Sequence, residues 1–198
     1  MHKKTSCWQV LAVLVTLGLA ALPILGCDGA EPEASPTPVP PTSVLLSRLD
    51  GQRVLFVVPD GFIDIEYRIT RRVLEEVGTF VTVASWSTDA LVGSSGETLQ
   101  PEVQIGDVQA GDFDAIVFVG GDHVKPTDPE TQRLAEQAAA KDKVLAAICA
   151  GQGILKEAGL WEGGRGGVYV ERRDRIIVAS GAIKAREFAE SIAAAMAE

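Results

Sequence analysis

Lys143-Val144-Leu145-Ala146-Ala147-Ile148-Cys149-Ala150-Gly151-Gln152-Gly153-Ile154-Leu155-Lys156-Glu157-Ala158-Gly159-Leu160 is the stretch on which the fold turns. Its first half is an uninterrupted apolar run of strand length with no polar alternation, which suits a strand covered on both faces of a parallel sheet. The run stops at a thiol. Glycines follow, and Ile154, Leu155 and Ala158 then recur at helical spacing, so Cys149 falls on a sharp strand-to-helix turn. Such an elbow lifts a sulfur to the carboxyl end of the sheet, where the first N–H groups of the next helix favour a thiolate. Free cysteine also serves as a small apolar filler, so the elbow alone leaves a packing role open.

Working outward towards the N-terminus, Phe113 to Gly121 supplies a second apolar strand, ending in Gly120-Gly121, a pair that lets backbone N–H groups approach a ligand. Val54-Leu55-Phe56-Val57-Val58 is a third, closed by Pro59-Asp60-Gly61. Ile65, Ile69, Val73 or Leu74, and Val77 then mark one face of a helix that Gly78 ends, and Phe80 to Ser85 is the next strand, completing a βαβ unit. Between Trp86 and Gly111 the signal weakens into glycine-rich loops, with a short hairpin or edge strand expected within Thr98 to Val108. Asp128 is placed to cap a helix running to about Ala140.

Beyond the elbow, Gly163-Gly164-Arg165-Gly166-Gly167 reads as a turn, and Gly167 to Glu171 and Arg175 to Ala179 as strands joined by Arg172-Arg173-Asp174. A helix over Ala185 to Ala197 closes the chain. Strands and helices in alternation, with near-continuous apolar strands, define an α/β fold with a doubly wound, mainly parallel sheet in a three-layer αβα arrangement. Ligands on such sheets bind beyond the carboxyl ends of the strands. Glu66, one turn into the first helix, is expected there if it points inward. A carboxylate beside a thiolate is stable only when the two share a proton. A solvated helix glutamate is the plain alternative.

The first 26 residues stand apart. His2, Lys3 and Lys4 precede an apolar run from Trp8 to Leu22, and Ile24-Leu25-Gly26-Cys27 closes it. The closing motif resembles a bacterial lipobox, which implies cleavage before Cys27 and diacylglycerol on that cysteine. Residues 27–43 are rich in proline and form a semi-rigid tether, leaving residues 44–198 as one domain. The expectation is a membrane-anchored lipoprotein facing away from the cytoplasm, its partner a lipid bilayer. Cys7 leaves with the signal and Cys27 is consumed by lipid, so Cys149 remains as the only thiol of the processed chain. The formal charge of −9, which becomes −11 once Lys3 and Lys4 are removed, repels phosphates and argues against nucleic acid. No metal-ligand cluster or phosphate loop is present in the sequence, and no cofactor is expected.

Taken together, Gly61-Phe62-Ile63-Asp64-Ile65-Glu66, Phe118-Val119-Gly120-Gly121 and Ala147-Ile148-Cys149-Ala150-Gly151 resemble the ThiJ/PfpI superfamily, whose flavodoxin-like fold is related to class I glutamine amidotransferases. The resemblance implies Cys149 as nucleophile, Glu66 as its proton-sharing partner, and the backbone N–H groups of Gly121 and Ala150 as donors to a developing oxyanion. It also implies a homodimer and a small-molecule ligand. Members include glyoxalases and deglycases, proteases, chaperones and redox sensors, so two readings stand: a thiol-dependent lyase or hydrolase on small carbonyl compounds, or a non-catalytic sensor or binding module. The family histidine is absent, since position 150 is alanine and the chain runs almost directly from Leu160 to Val168. His123, on the loop after Gly121, is the candidate substitute as substrate contact or base.

Overall fold

The computed structural model describes residues 49–163 and 166–198; the signal segment, Cys27 and the proline tether, together with Gly164 and Arg165 of the expected turn, lie outside the described residues. Seven strands form one sheet in the order β5-β2-β1-β6-β7-β9-β8, with β1 at Arg53–Val57, β2 at Phe80–Ser85, β5 at Val103–Gln104, β6 at Ala115–Phe118, β7 at Val144–Ile148, β8 at Val170–Arg173 and β9 at Ile176–Ala179. All pairings are parallel except β8 against β9. A separate two-stranded hairpin pairs β3, Leu91–Val92, with β4, Thr98–Leu99. The chain leaves β1 for β2 and β5 on one side, then returns to β6 on the other, so the crevice above β1 and β6 is the switch point where such sheets hold ligands.

Why the central strands read as continuous hydrophobic runs is now plain. Val54 and Phe56 of β1 enter one core with Val73 and Leu74 of α1 (Asp64–Glu76) and Phe188 and Ile192 of α4 (Ala185–Met196). Leu55 and Val57 enter the other, with Leu134 of α2 (Pro129–Ala140) and Ile154 and Leu155 of α3 (Gln152–Glu157). Alternate side chains thus feed opposite cores, and both faces demand apolar residues. The result is the expected three-layer α/β architecture.

Several local expectations shift. Helix α1 buries Glu66, Tyr67, Thr70, Val73 and Leu74, while Ile65 is exposed, so its inward face is rotated from the one the isoleucines marked. The rotation carries the Glu66 carboxyl inward, to the side of Gly120 at the end of β6. The hairpin begins earlier than expected, at Leu91, and β5 supplies the edge strand. Asp174, with φ of 56°, makes the tight turn between β8 and β9, which moves β8 towards the C-terminus of its expected span. Asp128 caps α2 as expected, its Oδ2 accepting the N–H of Thr131 at 3.0 Å. No helix among the described residues is long and apolar enough to cross a membrane.

Candidate active site

Three strand ends converge on one point. Strand β7 is buried along its whole length, and the next residue, Cys149, takes a φ of 55°, a left-handed conformation that costs a residue with a side chain about 1–2 kcal/mol. That turn projects the sulfur out of the sheet. Gly151 can follow only because it lacks a side chain, since a Cβ there would lie 2.4 Å from the Phe118 carbonyl oxygen. Cys149 ends half-buried, with neighbouring Ala150 exposed, so the sulfur sits in an opening and is not sealed in the core.

Glu66 comes from the other side. Its helix starts at Asp64 and carries it inward until only 2 % of its surface remains accessible. The gap shared by acid and thiol is the missing side chain of Gly120: a Cβ placed there would stand 2.6 Å from Glu66 Oε2 and 2.7 Å from Cys149 Cβ. Carboxyl and thiol therefore occupy one small space above β6. Gly121 is constrained from its other side, where a Cβ would meet the Gly61 carbonyl oxygen at 2.7 Å and Phe62 Cα at 2.8 Å. Its bridge to Phe62, with Ile63 N–H donating to Gly120 O at 3.0 Å and Asp122 N–H to Gly61 O at 3.2 Å, staples the loop after β6 to the loop after β1.

Electrostatics follow from this enclosure. Burial pushes the Glu66 carboxyl up to about 7, opposed by the Cys149 thiol and by the backbone N–H groups of Gly120 and Ala182, all of which favour its charged form. Oε2 is buried with no well-aligned hydrogen bond among the described residues, the environment in which a carboxyl keeps its proton. Cys149 is also raised, first by burial and then by the charge of Glu66, with the Ala150 N–H pulling the other way. The expectation of an elbow that by itself favours a thiolate is therefore corrected: the nearby acid and the loss of solvent outweigh the helix N–H groups. Glu66 therefore loses its proton before the thiol does, its charge then opposes the thiolate, and the two groups titrate as a coupled pair.

The remaining candidates lie around this pair. Ala150 directs its N–H at the sulfur. His123 follows Gly121 and Asp122; its side chain is two-thirds exposed and its Nδ1 lies 3.6 Å from Asp60 Oδ2. Asp60 is drawn below its ordinary value mainly by the N–H of Val92, which it accepts at 2.9 Å. Gly181 and Ala182 are site residues that the reading of the sequence missed. They follow β9, whose register beside β7 sets Ala179 opposite Ile148, and a Cβ on Gly181 would lie 3.5 Å from Glu66 Oε1. A glycine two residues past a buried strand, beside the strand that carries the thiol, was the signal available.

The DJ-1/PfpI family model matches residues 52–193, which include every residue of this site. The chain belongs to the DJ-1/PfpI family. A deglycase of Pyrococcus abyssi is 34 % identical over 132 residues, which are 63 % of this chain and 76 % of that protein. The deglycase PfpI of Pyrococcus furiosus is 31 % identical over the same length and shares. Among solved structures, a ThiJ/PfpI domain protein of Brachyspira murdochii superposes with a TM-score of 0.69 at 24 % identity, covering 74 % of this chain and 97 % of that one. DJ-1beta of Drosophila melanogaster superposes with a TM-score of 0.65 at 23 % identity, covering 74 % and 91 %. Both likenesses speak to the fold, and they place this DJ-1/PfpI chain in a flavodoxin-like three-layer architecture.

Proposed function

We propose that this protein is a thiol-dependent enzyme of the deglycase kind, acting on a small carbonyl compound such as a 2-oxoaldehyde or its amine adduct. The observation that carries the reading is the Gly120 gap, which brings a strained, accessible Cys149 and a carboxyl raised to about 7 into one space. In the first step the Cys149 S–H proton passes to the Glu66 carboxylate while the sulfur bonds to the carbonyl carbon and the C=O electron pair moves onto oxygen. The backbone N–H groups of Gly121 and Ala150 hold that oxygen, and Glu66 hands it the proton, leaving a neutral adduct and a carboxylate. An acid that titrates near neutrality suits both halves of such a shuttle. His123, at the rim beside Asp60, serves as a substrate contact. The relatives named deglycases support the substrate class. Incubation of the purified domain with methylglyoxal and with its arginine adduct tests the reading: turnover that disappears in Cys149→Ala is expected, and turnover equal in the two proteins removes it.

A second reading is favoured by one observation, that the single histidine among the described residues faces Asp60 from an exposed loop. In that reading the elbow serves as an oxidant sensor or a binding pocket. Intact mass after mild peroxide is then expected to rise by two oxygens, and to stay constant in Cys149→Ser.

The address proposed for this activity is the outer face of a membrane, through a lipidated Cys27 and the proline tether of residues 28–43. Fractionation tests it: the full chain is expected with the membranes and Cys27→Ala in the soluble fraction, and identical partitioning overturns it.

A further inference from the structure

The roof over Glu66 has an anchor of its own. Gln152 opens α3, three residues past the thiol, and its side-chain amide spends both functions on other segments: Nε2 donates to the Ala179 carbonyl at 2.8 Å, and Oε1 accepts the Tyr169 hydroxyl at 2.9 Å. Tyr169 lies just before β8 and is locked to the residue after β9. Its N–H donates to Ser180 Oγ at 3.0 Å, while the Ser180 N–H donates to the Tyr169 carbonyl at 3.0 Å. Four hydrogen bonds thus form a closed ring through the elbow helix, the strand entering β8 and the strand leaving β9. Register makes the ring relevant to the chemistry. Ala179 pairs with Ile148, so Ser180 stands alongside Cys149, and the next two residues, Gly181 and Ala182, lie against the Glu66 carboxyl.

We propose that Gln152 and Tyr169 are positioning residues for the acid–thiol pair, fixing the Ser180–Ala182 segment so that the Ala182 N–H meets the Glu66 carboxyl across from the sulfur. Neither side chain need touch a substrate. A hydrocarbon of the same length at position 152 would fill the space but could not tie three segments to one another, because its end carries neither the donor nor the acceptor that the amide supplies. The other groups that face Glu66 are the Cys149 thiol, at the end of β7, and the Gly120 N–H, after β6. This inference rests on the Glu66–Cys149 pair, but not on its being catalytic.

Tyr169→Phe removes a single hydroxyl, and Gln152→Met keeps the side-chain length while removing both hydrogen bonds. In protein carrying carbon-13 at the glutamate carboxyl, the pH midpoint of Glu66 is read directly, and urea unfolding of the same samples reads stability. The ionised carboxyl loses an N–H donor when the roof is released, so the midpoint is expected to rise by about one pH unit in both variants. Reduced stability with an unmoved Glu66 midpoint would reduce the ring to ordinary packing and overturn the proposal. If Gln152→Met fails to fold, Tyr169→Phe decides alone. A moved midpoint in a protein without turnover would keep this inference and remove the deglycase reading, so the two fail separately.

Discussion

Two acids on the first helix, Asp64 and Glu66, lose nearly all their surface on folding, to 4 % and 2 %, yet are shifted in opposite directions from their ordinary values. Asp64 lies under a thin cover, the turn at the tip of the β3–β4 hairpin, and that turn is built to receive a charge. Its Oδ2 accepts Ser94 Oγ at 2.9 Å and the Ser95 N–H at 2.8 Å, and its Oδ1 accepts the Glu97 N–H at 3.0 Å. These donors outweigh the cost of burial and hold the carboxyl below its ordinary value. Even Gly93 conforms, since a Cβ there would lie 2.5 Å from Asp64 Oδ1. Glu66 lies deeper, beneath three chain segments, with two backbone N–H groups and a thiol that do not offset desolvation. Lost surface does not decide the fate of a carboxyl; the depth of its cover and the number of aligned donors do. One acid is a structural anchor, and the other keeps a proton available at neutral pH.

The widest contrast should appear in turnover. Cys149→Ala is expected to lose at least about a thousandfold in kcat/KM, whereas Asp64→Asn retains activity within a few fold, and a comparable loss in both would erase the distinction between anchor and acid. Glu66→Gln keeps the shape of the side chain but has no proton to lend. It is expected to lose on the order of a hundredfold or more, mainly in kcat.

Stability sharpens the same contrast through its sign. Folded Glu66 holds its proton to about pH 7 against an ordinary value of 4.5, so unfolding between those values releases a proton. Stability is therefore expected to fall as pH rises through that window, by up to about 3 kcal/mol, and urea titrations at intervals between pH 5 and 8 should show that slope lost in Glu66→Gln. Asp64 acts in the opposite sense. Its lowered value stabilises the fold above the ordinary 3.8, and that contribution disappears as pH falls through the folded value. Asp64→Asn is expected to cost about 1–2 kcal/mol at neutral pH in the same titrations. The smallest effect belongs to His123→Ala, which should raise KM by less than about tenfold and leave kcat nearly unchanged, as suits an exposed rim residue.

How much of this was legible in the sequence follows the same division. Strands β1, β6 and β7 declared themselves because both of their faces enter cores, so composition alone marked them. The thiol at the end of β7 was legible in its elbow, and the acid on α1 through the resemblance carried by the motifs after β1, β6 and β7. The rotation of α1 was not, since Ile65 is exposed at the mouth of the crevice and Glu66 is buried, the reverse of a hydrophobic pattern. Nor was the Asp64 anchor, whose donors lie some thirty residues away in a hairpin only two residues long on each strand. The pull of Glu66 on the thiol, against the N–H groups of the elbow, depends on a separation that no one-dimensional pattern records.

The central claim is that Cys149 and Glu66 share one space and one proton. The rate of Cys149 alkylation by iodoacetamide, followed from pH 5 to 10 in the unaltered protein and in Glu66→Gln, tests it most directly. With the carboxylate gone, its charge no longer opposes the thiolate, and the alkylation midpoint is expected to fall by about one pH unit or more. An identical midpoint in the two proteins would mean that the acid and the sulfur do not sense each other, and would contradict the account.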